Sequence, residues 1–581
     1  MRIIKIVLLL IFCLLILGGI FYLGDYLTNL KYSNQKVIEI FKNERLGDEF
    51  NSRLEALSKL KEAKENFFKT KQKLEQFIYL IPKIKDDVVL KENLNEIIDN
   101  LDCFLEFKFI SDGLNQKENS LDCLKNLAIK LETIKNLDIL PINQYQQNIN
   151  SLVEFLGDKE KKNYLVLIQY PLIPRPSGGF LAAYGILSFD KGKISFVGDH
   201  IIDLDNFFTK KIIPPEPLEI IANQWFFHDL NWFYDFNLTG KKILENAQGI
   251  LSLKLDGVII INPEVVAQIL EPIGEVKIEN YPLVITANNF NYFLKEQLEA
   301  GMKPGPLREK PLVLDKFFSA LFEKLKGINS EELINLSEQF SNFLSQKDIQ
   351  LYFRDENLNQ SQIFQSNSDK EKASDNFIGV NFSYLEKEFQ EDSRPKRVIL
   401  KTEISNENQF INQITVNAEA KNPQERKMLS YLKIYLPEDI EVLEARGLVQ
   451  LDKEDLSAYY QKLNYIKDED LTLAEENQIK FNDTGLTLYK ENGKLVAGGF
   501  AYLGQSPFVL KYALPKVLKT AGEQFSVKIL KQSGQNINFL YKFVLPDNLK
   551  LGSTLFPFGK WIPLDKDLNI KVTIEKNEPS F

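Results

Sequence analysis

From Ile6 to Leu23 the chain runs without a charge, preceded by Arg2 and Lys5 and closed by Gly24-Asp25. At about 1.5 Å of rise per helical residue, such a run nearly crosses a hydrocarbon core of about 30 Å. No later stretch is comparable. The bias in basic residues toward the N-terminal side of the run predicts a cytoplasmic N-terminus. The expectation is a single-pass cell-membrane protein, with a helix from about Ile3 to at least Tyr26. On this reading residues 6–23 contact the bilayer and the C-terminal bulk is extracytoplasmic. A cleaved signal peptide is the rival reading, but the run exceeds the roughly 7–15 residues of a signal core and no small-x-small site follows. Cys13 has no lipobox around it, which argues against a lipoprotein.

The net charge of −9 argues against nucleic acid as a partner, because a phosphate backbone calls for a basic patch. With only His200 and His228 in the chain, a three-histidine zinc site is excluded, and no Cys-x-x-Cys occurs. Phosphate-loop and nucleophile-elbow motifs are also missing from the sequence. Cys103 and Cys123 recur in Leu-Asp-Cys contexts. An oxidising compartment permits a bridge between them, and two buried free thiols is the alternative.

Hydrophobic periodicity divides the remainder as an α+β multidomain chain. After the transmembrane anchor (1–28), residues 29–157 repeat apolar positions at three- and four-residue spacings and read as a helical stalk. Residues 158–355 alternate strand and helix signals, with Tyr164–Ile168, Phe180–Phe189 and Val258–Ile261 expected in one sheet of a central α/β domain. Pro263 stands where a first helical turn would begin. The polar stretch 356–376 reads as a disordered linker. Over 377–581 the period drops to two, which predicts all-β, β-sandwich-like modules, with Pro437, Pro515 and Pro546 marking strand ends.

Unusual polar residues concentrate between Arg175 and Asp235. Arg175 lies beside Ser177, Gly178 and Gly179 at a strand mouth, where a guanidinium and bare backbone N–H groups suit an anion. Asn231 and Trp232 join that candidate ligand-binding set. Asp203, Asp205, Asp229 and Asp235 are candidate ligands for Mg2+ or Ca2+, which take hard oxygen donors. The expectation is that these residues converge on one cleft at a sheet edge. The alternative is that Arg175 pairs with one of the aspartates and pins the loop.

Tyr164-Leu165-Val166-Leu167-Ile168-Gln169, Arg175-Pro176-Ser177-Gly178-Gly179-Phe180, Asp229-Leu230-Asn231-Trp232 with Asp235, and Leu255-Asp256-Gly257-Val258-Ile259 before Pro263 together resemble a known family. It is the bacterial membrane-anchored family called domain of unknown function 4012. The resemblance continues through Asn381 to Lys531-Gln532-Ser533-Gly534. Tyr170-Pro171-Leu172-Ile173-Pro174 departs from it, standing where members often carry an Asn and a Glu. A shorter likeness over Leu255 to Val276, ending in Ile273-Gly274-Glu275-Val276, is to the LytR-CpsA-Psr proteins. Those are membrane-anchored phosphotransferases that move polyprenyl-diphosphate-linked glycopolymers onto the cell wall.

Two functional readings follow. The first is an extracytoplasmic cell-envelope protein that binds or presents an envelope component, such as a glycopolymer or lipid-linked precursor. The second, implied by the shorter likeness, is a glycopolymer phosphotransferase acting on polyprenyl-diphosphate-linked substrates. A carbohydrate-binding module is weakened by the anchor and by having only Trp225, Trp232 and Trp561 for stacking platforms.

Overall fold

The computed structural model describes residues 121–122, 125–126, 128–129, 142–200, 204–205, 207–302, 313–325, 339–340, 342–361, 363–364, 376–386, 390–452, 454–481, 483–554 and 556–577. The expected membrane helix, most of the expected stalk, Cys103 and Cys123 lie outside the described residues. Among the described residues no helix is long and apolar enough to cross a membrane. They form a mixed α+β fold with three sheets.

The first part runs α1 (Ile142–Phe155), β1 (Lys162–Arg175), β2 (Gly178–Asp190), β3 (Lys193–His200), α2 (Phe236–Leu251), β4 (Gly257–Ile261), α3 (Pro263–Ile273), α4 (Phe290–Met302), α5 (Leu314–Leu325), β5 (Ile349–Phe353) and α6 (Glu356–Gln360). Its five-stranded sheet has the order β3-β2-β1-β4-β5, with β1 and β4 parallel and the other neighbours antiparallel. Every residue of β4 is buried, as expected of an interior strand covered on both faces. The turn from β2 to β3 is made by Lys191 and Gly192, both at positive φ, which suits the twist of a two-residue hairpin. Pro263 occupies the first turn of α3 behind Asn262, where its missing N–H costs nothing.

Two boundaries differ from the sequence reading. Phe155 of α1 stacks on Tyr164 at 4.5 Å and meets Phe189, Phe353 and Phe364, so the helix that ends the expected stalk belongs to the same core as the sheet. The expected linker also begins as structure. Asp355 caps α6, and Leu358 and Phe364 are buried anchors that the polar composition of this stretch hides. Residues 365–375 lie outside the described residues. Ile349–Phe353 forms the edge strand β5, antiparallel to β4.

The second part contains β6 (Phe377–Tyr384), β7 (Lys396–Ile404), β8 (Gln409–Ala418), α7 (Pro423–Arg426), β9 (Ser430–Leu436), β10 (Glu441–Arg446), α8 (Ser457–Lys462), α9 (Glu469–Glu476), β11 (Ile479–Phe481), β12 (Leu486–Glu491), β13 (Lys494–Ala501), β14 (Phe508–Val517), β15 (Gln524–Leu530), β16 (Ile537–Val544), β17 (Leu549–Leu551), β18 (Trp561–Pro563) and β19 (Leu568–Lys576). A six-stranded sheet, β10-β14-β8-β7-β16-β18, and an eight-stranded sheet, β11-β12-β13-β9-β6-β15-β19-β17, share one apolar core. Ile414 and Leu510 enter it from the first sheet, and Leu432 and Val527 from the second. Strand β8 alternates buried and half-buried residues along its length, the signature of one covered face. By contrast β6 and β9 are buried at every position. One face of β6 meets the sandwich core and the strand also contacts β1, which joins the two parts. Pro515 does not end its strand as read from sequence, because β14 continues past it to Val517 through a register shift.

Helix α2 packs against β5. A Cβ on Gly240 would lie 2.3 Å from Tyr352 Cβ. Helix propensity favours alanine over glycine by about 1 kcal/mol, but the overlap acts in the opposite direction. We expect Gly240→Ala to destabilise by about 1–3 kcal/mol in urea unfolding. An unchanged or raised midpoint would contradict the contact.

Candidate functional site

Strands β1 and β2 close into a hairpin in which Arg175 pairs with Gly178 around Pro176-Ser177. The tip is buried, so its backbone groups require partners other than water. Four side-chain amides supply them. Gln532 Nε2 donates to Arg175 O at 2.8 Å, Asn381 Nδ2 to Pro176 O at 2.6 Å, Gln350 Nε2 to Ser177 O at 2.7 Å, and Asn231 Nδ2 to Gly179 O at 2.6 Å. Ser177 donates through its N–H and hydroxyl to Asn231 O, and Gly179 N donates to Gln169 Oε1. Glycine is required beside the tip, since a Cβ on Gly178 would fall 2.2 Å from Gln169 Nε2 and one on Gly179 2.2 Å from Tyr170 O. Gln532 also bridges back to Phe382, whose N–H and C=O it meets at 2.8 Å each.

Arg175 is 3% exposed. Its Nε donates to Asp229 Oδ1 at 2.6 Å, and its Nη1 to Pro174 O and Tyr384 O. Asp229 Oδ2 lies 3.3 Å from His228 Nε2, while His228 Nδ1 lies 2.6 Å from Asp205 Oδ2. The result is a row of alternating charge, Arg175, Asp229, His228, Asp205, with the imidazole packed between Phe180 and Phe226. Burial opposes the charge on His228, but the two carboxylates prevail and hold its pKa up at about 10. Burial likewise opposes ionisation of Asp229, yet Arg175 and His228 hold its carboxyl below the usual range.

The structure brings Arg175, Ser177, Gly178, Gly179, Asp229 and Asn231 together in a buried junction, not around an open cleft. Asp205 joins through His228. Asp235 stands apart as the N-cap of α2, accepting from Asn237 N at 2.9 Å and from Asn492. Asp203 lies outside the described residues. Among the described residues no group of three or more His, Cys, Asp or Glu side chains is arranged to hold a metal ion.

Trp232 lies over a different feature. Lys433, buried on β9, donates to Trp232 O at 2.9 Å and to Glu491 Oε2 at 2.6 Å, and sits 5.0 Å from the Trp232 ring centroid. Tyr435 donates to Glu491 Oε1 at 2.5 Å. This pair escaped the sequence reading, although a lysine inside the apolar run Tyr431–Leu436 was a usable signal, because buried lysines need a partner. Gln350 escaped it too, and nothing local in the sequence distinguishes it.

Residues 159–298 match the family model described as protein of unknown function (DUF4012). No curated protein matches the sequence. Among solved structures, the chain is similar to the transcriptional regulator yvhJ from Bacillus subtilis, at 10% identity and a TM-score of 0.18, covering 34% of this chain and 93% of that one. It is also similar to B. subtilis TagV, at 10% identity and a TM-score of 0.16, covering 32% of this chain and 81% of that one. The family match contains Arg175, Asp229 and Asn231 but not Gln350, Asn381 or Gln532.

Arg175→Ala should destabilise by about 3–5 kcal/mol in urea unfolding, because it strips a buried carboxylate of its main cation. A loss below about 1 kcal/mol would show that Asp229 finds another partner. The imidazole gives a pH signature. A histidine with a raised folded pKa stabilises fully below its unfolded value, and that contribution disappears as pH rises through the folded one. Stability should therefore decline between about pH 6.5 and pH 10. In His228→Gln this decline should flatten, and a retained slope would assign it elsewhere.

Proposed function

We propose that the protein is a single-pass, membrane-anchored extracytoplasmic component of the cell envelope that binds or presents an envelope component. The observation that carries this reading is the uncharged run Ile6–Leu23 behind Arg2 and Lys5. The match of residues 159–298 to the DUF4012 model supports it. So does the construction of the body that follows, in which two sheets of a sandwich and a mixed sheet are joined through one buried hairpin tip. Such a body suits holding a surface at a fixed place beside a membrane.

The phosphotransferase reading relies on Arg175 to hold phosphate. That guanidinium is buried and bonded to Asp229, Pro174 O and Tyr384 O. No observation at this site favours the transferase over the binding protein.

Topology provides the test. Alkaline phosphatase fused after Phe581 should be active and β-galactosidase at the same point inactive, and deletion of residues 1–28 should move the protein from the membrane to the soluble fraction. Active β-galactosidase, or a full-length chain that fractionates as soluble, would overturn the proposal.

A further inference from the structure

A cavity of about 70 Å³ lies where Trp232 and the turn at Pro215–Pro217 meet the eight-stranded sheet and α9. Its walls include the rings of Trp232, Tyr431, Tyr489 and Phe500. Tyr431 stacks on Trp232 at 6.2 Å and meets Phe500 at 5.0 Å, so the rings form a continuous surface. The space exceeds that of one water several-fold.

The charge on the lining is acidic. Glu491 is answered internally by Lys433, which sits within cation–π distance of Trp232 and Phe233. The aromatic set thus already accommodates one ammonium group. Glu475 of α9 is different. It is half-buried on the same cavity, and among the described residues its side chain accepts from the Glu216 N–H alone, at 3.4 Å. Among the described residues no lysine or arginine forms an ion pair with it. Lys480, the nearby candidate, pairs with Glu216 at 2.9 Å instead. Burial pushes the Glu475 carboxyl up, and Lys467 and Lys480, which act on it from beyond ion-pair distance, oppose that shift without cancelling it.

We propose that this cavity binds the ammonium end of a short primary alkylamine, with the rings of Tyr431, Tyr489 and Phe500 against its methylenes and the Glu475 carboxylate on its charge. An anion would meet the Glu475 carboxylate at the same lining. A neutral alcohol of the same shape would leave Glu475 without its cation. The amine satisfies both, its methylenes meeting the rings and its ammonium the carboxylate, a contact that is stronger where water is partly excluded. This binding site does not depend on the topology proposed above, since the cavity is built wholly from residues after the anchor.

The test uses full-length protein in a neutral detergent and ligand-observed 19F NMR. 3-Fluoropropylamine should show saturable broadening that propylamine displaces, and 3-fluoropropan-1-ol should not. Glu475→Gln should weaken the amine at least about tenfold, and Ala474→Leu, which fills the cavity, should abolish binding. Absence of saturable amine binding, equal binding of the alcohol, or undiminished binding by Glu475→Gln would each overturn the proposal. If either variant misfolds, the comparison of amine with alcohol on the unaltered protein decides.

Discussion

The hairpin tip at Pro176-Ser177 must be buried without water, and that requirement organises the rest of the structure. Burying a carbonyl without a partner costs about 1–3 kcal/mol, so four bare carbonyls within one tip would offset much of a domain's net stability. Each is met by an amide from a different place: Asn231 from the loop before α2, Gln350 from β5, Asn381 from β6 and Gln532 from the loop after β15. The tip therefore fixes the position of the sandwich against the central sheet. The glycines follow from the close packing at the same place, because a Cβ on Gly178 would overlap the Gln169 amide and one on Gly179 the Tyr170 carbonyl.

Charge at the junction obeys the same logic on a larger scale. Lys347 is buried among Asp567 at 2.8 Å, the Tyr234 hydroxyl at 2.6 Å and Lys531 O at 2.9 Å. Lys433 is buried against Glu491, and Arg175 against Asp229. Buried pairs contribute little net stability compared with apolar packing of equal volume, but removing one partner is severe. Such pairs specify which surfaces meet. In this chain Lys347–Asp567 joins the two parts directly, while Arg175 and Lys433, each paired within its own part, reach the other through Tyr384 O and Trp232 O.

Much of the architecture was legible because it rests on local periodicity. The all-buried run Val258–Ile261, the Lys191-Gly192 turn and the alternation of β8 each carry their signal within a few residues. Phe155, Leu358 and Phe364 did not, because each is an isolated apolar anchor whose partners lie elsewhere in the chain. The same split runs through the candidate site. Arg175, Asp229 and Asn231 stood out as unusual polar residues, and the structure does gather them. What sequence could not indicate is the sign of their environment. A guanidinium beside glycines suits an open anion site and a buried ion pair equally well, and the choice depends on whether Tyr384, Asn381 and Gln532 arrive to cover it.

Those covering residues arrive from far along the chain, and this bears on how the molecule holds together. Gln532 is separated from Arg175 by 357 residues, and Asn381 from Pro176 by 205. The segment that matches the family model supplies the tip, Asn231 and the Arg175–Asp229 pair, but not three of the four amides that satisfy the tip. On its own that segment would present Arg175 O, Pro176 O and Ser177 O to water at a place shaped to exclude it. Loop closure over such separations adds cost only slowly with length, whereas each unsatisfied carbonyl adds its full penalty. The balance favours a single cooperative unit, in which the sandwich is part of the folding core of the central sheet and not an appendage to it.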